Sequence, residues 1–150
     1  MKTFRAWCAA ALAGLAFAFS AFADPTEGWL EDYDQALAQA KAENKFVFML
    51  FTNTDSSTNC QKLAKEVLTT KEFKAYAASN LVLLEIDFPR KKEQTKQLKE
   101  KNRDLNTRLG GRTLPVIVLL DADAKEQTRF AGYGGGGAKD MVAKLVLFKK

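Results

Sequence analysis

The sequence has no histidine among its 150 residues. That removes His-based general acid–base catalysis, His-ligated metals, and the Ser-His-Asp and Cys-His nucleophile arrangements. Cysteine is scarce as well, with only Cys8 and Cys60. Paired carboxylates with metal-binding spacing are missing. Asp32 and Asp34 lie two apart on a helical pattern and do not share a face. Asp121 and Asp123 fall in a turn, where Asp is ordinary. Four successive glycines, Gly134 to Gly137, lack the Lys-Ser/Thr pair that a phosphate-binding loop needs after them. There is no internal repeat. No metal and no cofactor is expected.

The N-terminus carries an export signature. Lys2 and Arg5 precede the uncharged apolar run 6-AWCAAALAGLAFAFS-20, and 21-AFA-23 offers small residues for cleavage before Asp24. The run is short of the ~20 residues that span a bilayer. Residues 1–23 are therefore expected to be a signal peptide, with no stable membrane insertion after its removal. Cys8 lies at the start of the apolar run rather than after it, which excludes a lipoprotein anchor. Residues 24–150 remain as one domain, exported to the periplasm or beyond the cell. Cys60 is then the only cysteine left, so no internal disulfide can form and stability must come from an apolar core.

The formal net charge is +5, partly from Lys2 and Arg5. The densest cationic segment, 90-RKKEQTKQLKEKNR-103, includes Glu93 and Glu100 and no aromatic residue. It reads as a solvated helix face, and no nucleic-acid partner is expected.

From Pro25 onward helical and extended patterns alternate. A helix is expected within 26-TEGWLEDYDQALAQAKAEN-44, with Leu30, Tyr33, Leu37 and Ala40 inward and Asn44 as its stop. The run 46-FVFMLF-51 is apolar on both faces, as in a central strand covered by helices on both sides. Cys60, Leu63, Ala64, Val67 and Leu68 form a stripe on a helix starting near Ser56 or Ser57, and 70-TKEFKAYAAS-79 is a further short helix. A strand, 81-LVLLEID-87, precedes a helix over 93–110 with Gly110 as its stop. The strand 116-VIVLLD-121 and the segment 126-EQTRFAGY-133 form a hairpin, and a helix follows over 138–150. The first three strands are joined by helices, which favours parallel pairing; the tight turn makes the fourth antiparallel. The result is an α/β fold, a four-stranded mixed sheet flanked by helices on both faces.

A Cys-bearing helix directly after the first strand, and a proline just before the third, resemble the thioredoxin-like fold. The closer resemblance is to exported thioredoxin-like proteins in which the first strand runs into a segment of the type F-T-G-S-D-W-C-x-W-C-K-K-L. Here 51-FTNTDSSTNCQKL-63 agrees at Phe51, Thr52, Asp55, Cys60, Lys62 and Leu63. Ser56 stands where the tryptophan would be, Ser57 at the first cysteine, and Asn59 at the second aromatic. The segment 113-TLPVIVLLDADAKE-126 resembles the family's T-P-x-x-x-x-x-D-x-x-G-K-E, and Arg129 to Tyr133 its R-x-x-G-Y. The resemblance spans roughly residues 29 to 148.

By that resemblance Cys60 takes the resolving position and Ser57 that of the attacking cysteine. A serine hydroxyl cannot form half of a disulfide, so a self-contained dithiol cycle is not expected. Cys60 stands in a first turn, a place that suits a nucleophilic thiol; on an inward stripe it serves equally as a small apolar side chain. The strand 46–51 offers no acid to take a thiol's proton. Ser57 is also an ordinary helix cap, without an activating base nearby. The resemblance implies a cis Pro115 facing this helix, so that Leu114, Pro115, Asp55, Ser56, Thr58 and Asn59 outline a groove for another polypeptide. The leading expectation is a polypeptide-binding or redox-linked accessory module. A monothiol oxidoreductase or redox sensor using Cys60, and a structural or assembly protein, are the alternatives.

Overall fold

The computed structural model describes residues 28–148. The expected signal peptide, residues 1–23, lies outside the described residues. The elements are β1 (Trp29–Leu30), α1 (Tyr33–Glu43), β2 (Phe46–Thr52), α2 (Thr58–Leu63), α3 (Lys71–Asn80), β3 (Leu81–Asp87), α4 (Lys96–Leu109), β4 (Val116–Leu120), β5 (Glu126–Ala131) and α5 (Gly137–Val146). A π-helical turn, Ala64–Leu68, continues α2 directly.

The five strands are ordered β1-β3-β2-β4-β5. This corrects the expected four-stranded sheet. Trp29 and Leu30, expected inside the first helix, instead pair in parallel with Leu83 and Leu84 of β3. The helix starts only where Asp32 caps it, accepting from the Gln35 N–H at 2.9 Å. The extended pair sends Trp29 to one face, edge-on to Phe48 at 6.1 Å, and Leu30 to the other beside Tyr33 and Leu37. Leu30 therefore shares a core with Tyr33 and Leu37, which is why it fits their helical spacing.

β2 pairs in parallel with β3, but β4 runs antiparallel to β2, against the expectation that the first three long strands would all be parallel. The register gives the reason. β3 ends with Asp87 opposite Thr52, and β4 begins with Val116 opposite Phe51. Both ends of the connection thus sit at one end of the sheet. α4 bridges that end rather than carrying the chain back along the strands, and only its Asn102 and Leu105 are buried. Parallel return is required only of a crossover that traverses the sheet. β5 completes the expected antiparallel hairpin.

Alternation along β2 divides the core. Val47, Met49 and Phe51 face Ala36, Ala40 and Leu105, from α1 and α4. Phe48 and Leu50 face Leu63, Val67, Phe73, Met141 and Leu145, from α2, its π turn, α3 and α5. Gly110 closes α4 as expected; a side chain there would collide with Asn106. Phe48 is fully buried and also packs edge-on to Phe73 at 5.3 Å. We expect Phe48→Ala to cost about 3–5 kcal/mol by denaturant titration, through lost burial and the cavity left between two helices and the sheet.

Candidate functional site

Where β2 ends, the chain turns into α2 through Asn53–Ser57. Asn53 is buried, and its Oδ1 accepts the Ser56 N–H at 2.8 Å. This closes the turn that brings Ser57 to the helix start. Ser57 is the cap, in extended conformation, and its Oγ accepts the Cys60 N–H at 3.4 Å. One turn in, Cys60 points inward and is 3% exposed, and its Sγ accepts the Asn53 N–H at 3.4 Å. The sulfur thus closes the loop it belongs to. The side chains of Ser56, Thr58 and Asn59 lie at the surface.

Asp55 is held by a different part of the chain. Its carboxylate accepts the N–H groups of Arg90 at 3.0 Å, Lys91 at 2.6 Å and Lys92 at 3.0 Å, together with the Ser56 hydroxyl at 2.6 Å. Those bonds, the Arg90 amide and the Ser56 hydroxyl foremost, keep the carboxyl far below the usual carboxylate range. Asp55 clamps the β3–α4 loop onto the β2–α2 loop. A second tie lies beneath it, where Asp87 accepts the Thr54 N–H at 3.0 Å and the Thr54 hydroxyl at 2.7 Å. The Asp87 carbonyl accepts from the buried Asn102 side chain at 3.0 Å.

Leu114 and Pro115 reach the same end of the sheet from β4, and the peptide bond between them is cis. Pro115 is buried, its carbonyl accepting the Gly132 N–H at 2.8 Å, while Leu114 is half-buried against the α1 side of the core.

A helix-capping serine three residues before a buried cysteine, a cis proline heading β4, and this strand order all converge on one family. The model of the thioredoxin-like domain family matches residues 33–145. The chain belongs to the thioredoxin-like family. Among curated relatives, the disulfide bond reductase DsbH of Chlamydia pneumoniae is 33% identical over 108 residues, 72% of this chain and 65% of that protein. The thioredoxin-related protein DsbJ of the same organism is 26% identical over 121 residues, 79% of this chain and 35% of that protein. The chain thus spans about two thirds and about one third of the lengths of these relatives. Among solved structures, a DsbH oxidoreductase superposes with TM-score 0.71 at 31% identity, covering 78% of this chain and 80% of that one. A thioredoxin from Thermus thermophilus reaches 0.59 at 20% identity, covering 79% and 84%, which supports the fold alone.

Within this thioredoxin-like frame, one site residue escaped the sequence reading. A groove of about 370 Å³ opens along α2 and its π turn, lined by Cys60, Ala64 and Leu68 on one side and by Leu50, Thr52 and Glu85 on the other. Ser57, Leu114 and Pro115 are not among its lining residues. The strand 46–51 has no acid, but the neighbouring strand brings one to this groove, where Glu85 stands opposite Leu50. The signal was present in 81-LVLLEID-87, because alternation places Glu85 on the face of Leu81 and Leu83, the face that α2 covers.

Burial, reinforced by Asp87 and Glu31 and opposed by Lys92, pushes the Glu85 carboxyl up to about 7. The unfolded chain releases this proton earlier in a pH rise than the folded chain does. Stability therefore falls from the ordinary glutamate range up to pH 7, and the penalty is complete above it. Glu85→Gln removes that penalty. We expect the variant to be about 2 kcal/mol more stable than the parent at about pH 8 and equal to it at about pH 4, by denaturant titration.

Proposed function

We propose that this chain is an exported thioredoxin-like module that binds other polypeptides at the Ser57–Leu114–Pro115 end of its sheet and performs no dithiol exchange of its own. Ser57 carries the reading. It occupies the helix-capping position three residues before Cys60, the position of the attacking cysteine in the family resemblance, and offers oxygen in place of sulfur. Reduction of a disulfide by a dithiol protein needs two sulfurs, one to form the mixed disulfide and one to displace it. Cys60 alone would stop at the mixed disulfide until an outside thiol released it. Cys60 is the one free cysteine among the described residues. Export rests on the pattern of residues 1–23, and no helix among the described residues is long and apolar enough to cross a membrane. The disulfide bond reductase named among the relatives supports a place near thiol chemistry, as an accessory to it.

One observation favours a second reading. Cys60 and Glu85 line the same groove, so a lone thiol would share it with an acid whose carboxyl titrates near neutral pH. On that reading the chain is a monothiol oxidoreductase. Alkylation separates the two. The binding-module reading expects a small maleimide to label Cys60 only in denaturant, and rapid labelling of the native protein would move the assignment to the monothiol.

Ser57→Cys tests the alignment behind both readings. We expect this variant to form a reversible 57–60 disulfide and to gain disulfide reductase activity that the parent lacks. Mass spectrometry finding no such bridge after oxidation would overturn the assignment of Ser57 to the attacking position.

A further inference from the structure

The segment 90–103, expected to be one solvated helix face, divides in two. α4 begins only at Lys96, behind Thr95 as its cap, whereas Arg90, Lys91 and Lys92 form part of the loop that Asp55 clamps. Three successive backbone amides on one carboxylate fix where these residues stand, directly against the β2–α2 loop that carries Ser57. Their side chains are exposed. Among the described residues, none of the three has an ion-pair partner within 4.0 Å, although Lys92 shares a pocket with Glu31, Asp32 and Glu85 and acts on the Glu85 carboxyl; Lys62 on α2 and Arg112 also have no such partner. Asp55, the acid of this loop, accepts from three backbone amides and the Ser56 hydroxyl and forms no ion pair within 4.0 Å with these cations. The lysines of α4, by contrast, are partly paired, Lys96 with Glu100 and Lys101 with Asp32.

We infer that Arg90, Lys91 and Lys92, held in place by Asp55, form a cationic rim against the β2–α2 loop that carries Ser57, and that this rim selects acidic polypeptide segments. The inference rests on the polypeptide-binding reading and names the class of partner. Exposed cations around a binding site raise the local concentration of an anionic partner, speed its encounter and discriminate against cationic ones. The segment 90–103 has no aromatic residue on which bases would stack, which favours a polypeptide over a single-stranded nucleic acid.

The test uses the purified exported chain and fluorescein-labelled unstructured peptides of one sequence, carrying glutamate, glutamine or lysine at the same positions. Binding is read by anisotropy at low and physiological ionic strength. We expect the glutamate peptide to bind at least about tenfold tighter than the glutamine one at low salt, with the gap narrowing as salt is added. The triple variant R90Q/K91Q/K92Q keeps the amides that Asp55 holds, and it should bind both peptides with the affinity the parent has for the glutamine one. Asp55→Asn keeps all three cations but loosens their clamp; it should narrow the glutamate-over-glutamine preference while amide hydrogen exchange at residues 90–92 quickens. Equal binding of the glutamate and glutamine peptides by the parent overturns the rim and leaves the polypeptide-binding reading standing. Binding of none of the peptides overturns both. Tighter binding of a single-stranded oligonucleotide than of the glutamate peptide overturns the rim's assignment to polypeptides.

Discussion

Because Val47, Met49 and Phe51 pack against α1 and α4 while Phe48 and Leu50 pack against the opposite helices, β2 cannot slip by one residue without exchanging its two buried faces. That constraint fixes where the strand ends and hence where the functional loop begins. Thr52 is the last paired residue, opposite Asp87, and Asn53 follows it into the interior. Everything at the candidate site is measured from that point. The turn closed by Asn53, the cap at Ser57 and the inward Cys60 follow within eight residues of the strand's end.

Three polar groups then hold the end of the sheet together, and each joins segments distant in sequence. Asp87 ties β3 to Thr54, Asp55 ties the β2–α2 loop to residues 90–92, and Asn102 brings α4 onto the carbonyl of Asp87. α4 buries little apolar surface, so these bonds substitute for packing in locating it. The same arrangement explains the direction of β4. A helix positioned by hydrogen bonds at one end of a sheet returns the chain to that end, and the next strand must run the other way.

The central strands, the helix stops at Asn44 and Gly110, and the cap at Ser57 were legible because each is encoded locally, in apolar runs or in residues with particular backbone or capping preferences. β1 was not, because two residues carry no period and Leu30 satisfies the helical spacing by packing on the same face as Tyr33. The direction of β4 was not, because the rule for helical crossovers presumes a helix that traverses the sheet. At the site, the placement of Cys60 on the inner stripe of its helix was readable from Leu63 and Val67. The partners of Asp55 were not, since they lie 35 to 37 residues away and are backbone amides, which leave no mark on sequence. Glu85 was readable in principle, as the charged residue whose alternation puts it on the α2 face, but that it shares a groove with Cys60 depends on the pairing of β2 with β3.

The geometry of the site and its chemistry are separable. No bond that shapes the loop requires a sulfur at position 57. Ser57 caps the helix through an oxygen, Asn53 and Asp55 close and anchor the turn, and the cis Leu114–Pro115 peptide stands at the head of β4. A sulfur is used only at Cys60, where it is buried and accepts an amide hydrogen bond. Oxygen at position 57 therefore preserves the surface that another polypeptide would meet while withdrawing the second sulfur that exchange requires. Selection in such a module would come from what surrounds the β2–α2 loop. The exposed cations of residues 90–92, whose amides Asp55 holds, lie against the same loop as Ser57 and would give such a module a preference for acidic partners.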